Sequence, residues 1–344
     1  MFAYGKYRER NRRAPARRRS SALKKPFGAA ERPFGLRPFA SKCAGFTLLE
    51  MMVSMVILSL IVGGLISALS SSEQSYARIE LGSDMYENVR SVAELMAQEI
   101  GQAGLVSLPT TTLSSAVAAN AAAQAVNVSQ TASMYVGEQL LVDAGSASEE
   151  LVTLTAVAST TMSGIFKNAH ASGASVTVLG AFPSGIVPVG ATDGSTSVAE
   201  PGKSVLNIYG DINSDGSLVY IRYTCDTSAT PGTLTRSVTT ITPGVNTIAA
   251  AQTLLSTLIP NPGGTPCFQY TSYPVGTPSN TYVTNVGLTI SVQSLARDPQ
   301  TQAYLTMTKS FLDLSPRNVL AGFELGNAGL TTRLQAQPPN VSAY

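Results

Sequence analysis

Few residues in this chain are of the types that do chemistry, and their spacing limits what they can do. His170 is the only histidine among 344 residues and lies in the Ala/Ser/Gly-rich run AHASGASVTV. One histidine gives too few ligands for a zinc site of the usual His-rich or Cys-rich spacing. A Ser-His-Asp apparatus would have to use it, and no GxSxG elbow supplies the serine. Walker and dinucleotide fingerprints are also missing. The sequence does not support an enzyme, and His170 reads as a surface or internally satisfied structural residue. The stretch Asp211-Ile-Asn213-Ser-Asp215-Gly216 sets oxygen donors at alternating positions ahead of a glycine, as in the first half of a calcium loop. Its twelfth position is Arg222 where a bidentate Glu is needed. A calcium site would be incomplete or completed from elsewhere; the alternative is a turn stabilised by Asp, Asn and Gly between two strands. Otherwise no cofactor is expected.

The strongest chemical signal is Glu50, the one charge among the twenty-four residues from Phe46 to Leu69. A carboxylate near one end of an apolar helix of bilayer length costs roughly 2.5 to 3.5 kcal/mol if it reaches the core, so it needs a partner. A cut between Gly45 and Phe46 would create an α-ammonium four residues upstream, turning an expensive residue into half of an ion pair.

Lys42, Gly45, Phe46, Thr47, Leu48, Leu49 and Glu50, behind a basic leader and ahead of about twenty apolar residues, resemble the type IV prepilin signal. The resemblance implies cleavage after Gly45 by prepilin peptidase, N-methylation of Phe46, and pairing of Glu50 with the N-terminus of a neighbouring subunit during filament assembly. It further implies an inner-membrane protein, N-terminus cytoplasmic and C-terminal domain periplasmic, that later enters a pilus or pseudopilus. Its partners would be membrane lipid, the assembly platform, and other major and minor pilins or pseudopilins. The size of the β-rich domain, the Asp211 segment followed by Val219-Tyr220-Ile221-Arg222-Tyr223, and Pro316-Arg317-Asn318 resemble the PilW or PulJ type of minor pilin or pseudopilin. That resemblance implies a low-copy subunit that initiates or caps a filament. A filament-tip adhesin and a signal-anchored periplasmic hydrolase are the alternatives.

Charge and cysteines fit this scheme. Residues 1–45 carry thirteen Lys and Arg against two acids, and residues 46–344 carry ten against nineteen. A basic tract directly before an apolar span fixes topology by staying cytoplasmic. The remainder is acidic with scattered bases, so nucleic acid is not an expected partner. Cys43 would leave with the leader, and Cys225 and Cys267 would remain as an even pair in an exported domain, where a disulfide is expected. Two unpaired buried thiols are the other reading.

The positioning elements follow. The expected fold class is α+β and pilin-like: a long N-terminal helix packed on an antiparallel β-sheet domain, with a small β insertion. The leader occupies 1–45 and the helix 46–104, its transmembrane half at 46–69. Ile79, Tyr86, Val89, Ala93, Met96 and Ile100 recur at helical spacing and mark the face that packs on the domain. Gly63 and Gly64 are the weakest point of the helix, and Gly101, Gly104 and Pro109 stop it. An Ala/Ser/Thr-rich connection at 105–133 reads as weakly ordered. Then come a small β module at 134–182, a β-rich C-terminal domain at 183–315 and an irregular tail at 316–344. Alternation at Val286, Leu288, Ile290 and Val292, and again at Leu305, Met307 and Phe311, predicts a hairpin turning at Asp298-Pro299.

Overall fold

The computed structural model of the protein describes residues 45–187, 204–242, 244–275, 280–330, 333–342 and 344. Of the expected leader only Gly45 falls among them; Lys42 and Cys43 lie outside. The chain divides into two units between Val62 and Gly63. Helix α1 (Leu48–Gln102) starts in the first and ends in the second.

In the first unit every described residue, 45–62, is exposed. The second unit opens with the rest of α1, which buries Met85, Val89, Val92, Ala93, Met96 and Ile100 along one face. Four of these were expected. Ile79 and Tyr86 were expected there too, but they are 67% and 45% exposed. The core begins only at Met85, and the Tyr86 ring sits at its rim beneath the Lys309 ammonium, 5.0 Å from the ring centre. The helix ends as the glycines predict. Gly104 takes φ +82° and donates its N–H to Tyr209 O at 3.0 Å, a backbone turn that a Cβ would strain.

Seven short strands come next: β1 (Thr111–Thr112), β2 (Gln124–Asn127), β3 (Gln139–Val142), β4 (Glu150–Thr153), β5 (Ala156–Val157), β6 (Thr161–Gly164) and β7 (Ser175–Val178). They form two antiparallel sheets, in the orders β1-β7-β3-β4 and β2-β6-β5. The weakly ordered connection expected at 105–133 is therefore corrected, because it supplies β1 and β2 and starts the module well before residue 134. Its Leu113, Val117, Val126 and Val128 join Leu140, Val152, Met162, Phe166 and Val176 in one core. A few aliphatic side chains placed on the inner faces suffice to close such small sheets, and composition alone hid them.

The main sheet contains β8 (Val205–Gly210), β9 (Val219–Asp226), β10 (Gly232–Thr240), β11 (Gln252–Ile259), β12 (Phe268–Val275), β13 (Asn280–Arg297) and β14 (Tyr304–Leu314). All its pairings are antiparallel, in the order β12-β13-β11-β10-β9-β8, with β14 also on β13. The β13–β14 hairpin turns at Asp298, as expected: the buried carboxylate accepts Gln300 N–H at 3.0 Å and Thr301 Oγ1–H at 2.9 Å. Burial resists the charge, but these bonds, led by the Gln300 N–H, and nearby Arg78 hold its pKa below the ordinary value. β11 and β12 were not foreseen, since LLSTLI and QYTSYPV carry no strict alternation of apolar and polar residues.

Two features tie α1 to this sheet. Alternate residues of β8 to β13 meet the α1 face in one apolar core that includes Leu206, Ile208, Ile221, Leu288 and Ile290. Inside that interface the buried Glu99 carboxylate accepts from Arg236 Nη2, Arg236 Nε and Tyr223 Oη. The disulfide Cys225–Cys267 joins β9 to the start of β12 and encloses β10 and β11 in the covalent loop.

The tail differs from its expected irregular form, because Arg317–Asn327 is helix α2, capped behind Pro316. Pro316 stands at the N-cap position without a side-chain cap bond, and the helix is held by its buried face, Val319, Gly322 and Gly326. Residues 333–341 then form a strap held by two buried amides. Gln335 bonds Gln139 and Leu179, and Asn340 Nδ2 donates to Thr242 O and Val245 O at 2.6 and 2.8 Å.

Candidate functional site: the first turn of α1

Gly45 and Phe46 precede α1 and are exposed; Phe46 is 76% exposed and a Cβ on Gly45 would meet nothing within 4 Å. The Gly45–Phe46 bond is therefore open to an enzyme. Thr47 is the N-cap. Its Oγ1 accepts the Glu50 N–H at 3.3 Å, and Glu50 Oε2 accepts the Thr47 N–H and the Thr47 Oγ1–H, each at 3.2 Å. This is the reciprocal capping box that Thr-x-x-Glu forms, satisfying two of the orphan donors at a helix start and contributing about 1 kcal/mol. The positive end of the helix dipole also favours a carboxylate here.

Glu50 thus has a role that the sequence reading missed, although the spacing Thr47-Leu-Leu-Glu50 was there to find it. One oxygen is engaged within the chain, and Oε1 has no hydrogen-bond partner among the described residues. The carboxylate is ordered by its own helix and keeps one face free for a second group. Below it, Leu48, Leu49, Met52, Val53, Val56 and Ile57 are all at least half exposed. The helix is long and apolar enough to cross a membrane, and none of its most apolar window is buried.

The other expected residues lie elsewhere. Asp211 is fully buried at the end of β8, and its carboxylate accepts Ser107 Oγ–H, Asp215 N–H at 3.1 Å and Gly216 N–H at 2.9 Å. Asp215 Oδ1 accepts Ser217 N–H at 2.8 Å. These bonds close the turn between β8 and β9 and occupy oxygens that a cation would need. Among the described residues no three His, Cys, Asp or Glu side chains are grouped so as to hold a metal. His170 is buried in the module, with Nε2 2.7 Å from Glu150 Oε1 and Nδ1 3.7 Å from Asp143 Oδ2. Glu150 also accepts the N–H groups of Lys167 and Asn168. Burial raises its pKa, but these hydrogen bonds, His170 first, prevail and hold it below the ordinary value.

Taken together, an exposed small-aromatic junction, a capped Glu and a bare apolar helix ahead of an α+β domain define a membrane-anchored single-pass protein of pilin-like architecture. Residues 40–66 match the family of the prokaryotic N-terminal methylation motif. The match spans the junction and Glu50, and it supports a type IV pilin-like protein processed by prepilin peptidase. No curated protein and no solved structure matches the chain.

Proposed function

We propose that this chain is a minor pilin or pseudopilin of the PilW or PulJ type, a non-catalytic subunit that helps initiate or cap a type IV pilus or type II secretion pseudopilus. The observation that carries the reading is the first turn of α1, where an exposed Gly45–Phe46 bond is followed by a capped carboxylate with one oxygen free. Cleavage there would create an ammonium at Phe46, and the free Oε1 of Glu50 would receive the ammonium of an adjoining subunit as the helices leave the bilayer. The charge asymmetry supports a cytoplasmic leader and a periplasmic domain. The assembly platform and other pilins or pseudopilins would be the partners.

Intact mass and N-terminal sequencing of the protein from membranes with and without prepilin peptidase test this. A peptidase-dependent start at methylated Phe46 is expected; retention of residues 1–45 in both strains would overturn the reading. Glu50→Ala should be cleaved normally yet incorporated poorly into filaments. The hydrogen bonds of the 211–216 turn favour a turn closed by the chain itself, so no calcium is assigned to it.

A further inference from the structure

The module is joined to the main sheet along a seam formed by residues 133–139. Ser133 Oγ accepts the N–H of Leu218 at 2.9 Å. Tyr135 packs on Phe182, which packs on Tyr209 of β8. Gln335 of the strap clips the far end: its Oε1 accepts Gln139 N–H at 2.9 Å, while its Nε2 donates to Gln139 O at 2.9 Å and Leu179 O at 2.6 Å. The strap approaches so closely that a Cβ on Gly180, at φ +102°, would lie 1.7 Å from Arg333 O.

Within this seam is Glu138, fully buried. Its Oε2 accepts only the Tyr135 N–H, at 3.3 Å, and its Oε1 has no partner. The Tyr135 hydroxyl is likewise buried without one. An ionised carboxylate in such a place has lost its water and gained a single weak donor, a state that costs several kcal/mol in general and is escaped by protonation or by opening.

We propose that Glu138 is a proton-operated latch: the module is held against the main sheet and strap while the carboxyl is protonated, and the seam opens locally when it ionises. Among the described residues no ion pair and no side-chain donor reaches its carboxyl. From its own segment there is the Tyr135 phenol. From β8 the Tyr209 phenol acts on Tyr135 and is bonded to Ser184 Oγ at 2.7 Å. The strap's charged residue, Arg333, is exposed. Burial pushes the Glu138 carboxyl up to about 8, with the Tyr135 N–H opposing. The closed seam thus holds a proton that an opened, hydrated Glu138 would release near the ordinary value of 4.5. Between those limits the opening constant should rise about tenfold per pH unit.

Amide hydrogen exchange on the full chain in detergent, from pH 5 to 9 and corrected for intrinsic rates, tests this. Expected is a tenfold-per-unit loss of protection in residues 135–142 and 333–341, with β13 unaffected, and no slope in Glu138→Gln. A flat wild type, or the same slope in Glu138→Gln, overturns the latch. If Glu138→Gln does not fold, Tyr135→Phe keeps the carboxyl and must keep the slope; its loss would count against Glu138. Infrared titration of the wild type gives an independent reading. A protonated-carboxyl band that disappears near pH 8 supports the latch, and one already gone at pH 6 refutes it.

Discussion

Replacing Glu99 removes the acceptor for three hydrogen bonds at the centre of the α1–sheet interface. Burial works against the Arg236 cation, but the bonds and charge of Glu99 outweigh it and keep its pKa above the ordinary value. Burial, then the charge and hydrogen bond of Glu99, push the Tyr223 phenol upward as well. Breaking one side of a fully buried ion pair costs about 3–5 kcal/mol. The Glu99 side chain is 7% exposed but that of Arg236 is 21% exposed, so the orphaned guanidinium recovers part of its hydration. Glu99→Ala should therefore lose about 2–4 kcal/mol, and Glu99→Gln, which keeps shape and an acceptor, about 1–2 kcal/mol. Glu99→Leu combined with Arg236→Met and Tyr223→Phe should return to within about 1 kcal/mol of the native protein, because neither a charge nor the Tyr223 hydroxyl is stranded. Urea unfolding of the processed protein in detergent, followed by tyrosine fluorescence, would measure all of these. A loss below about 0.5 kcal/mol for Glu99→Ala, or additive costs for Glu99→Ala and Arg236→Ala, would refute the argument that the pair is coupled and desolvated.

Other outcomes follow from the same geometry. Removing the disulfide with Cys225→Ser and Cys267→Ser should lower stability by about 4 kcal/mol, from the loop of 42 residues it closes, read by urea unfolding with each protein's own slope, which should steepen as the uncrosslinked denatured chain expands. Calcium should leave the melting temperature unchanged, whereas Asp211→Ala should lower it equally with calcium or chelator, because Asp211 bonds Ser107 and two backbone N–H groups. The depressed Glu150 pKa gives stability that is present above the ordinary carboxylate value of 4.5 and lost as pH falls through the lower folded value. Thermal melts from pH 3 to 7 should accordingly show an acid limb that is shallower in Glu150→Gln, Asp298 supplying part of the remainder; an unchanged limb would refute the contribution of Glu150.

The long apolar helix was legible because its signal is local, an unbroken apolar run continued by residues at helical spacing, whereas the Thr47–Glu50 capping box, equally local, was passed over. The β13–β14 hairpin was legible for the same reason, with strict alternation on both sides of Asp298-Pro299. Non-local features were not. Nothing near Glu99 announces Arg236, 137 residues away, although a carboxylate between Met96 and Ala103 on an apolar face was a sign that a partner must exist. Glu138 gave no local sign at all: two residues near it in sequence are held by distant stretches, Tyr135 by Phe182 and Gln139 by Gln335 of the strap. The module's first strands were hidden by composition: Ala, Ser and Thr look like linker until Val126 and Val128 are seen facing the same core.

The covalent loop has a mechanical consequence. Among the contacts that join α1 to the sheet, the Glu99–Arg236 pair reaches β10, which lies inside the ring that Cys225 and Cys267 close. If traction shears β10 from its neighbours, the strand can pay out only the slack held between the two cysteines before the load passes to a chemical bond. A domain built this way yields by a limited extension and then holds when its helix is loaded.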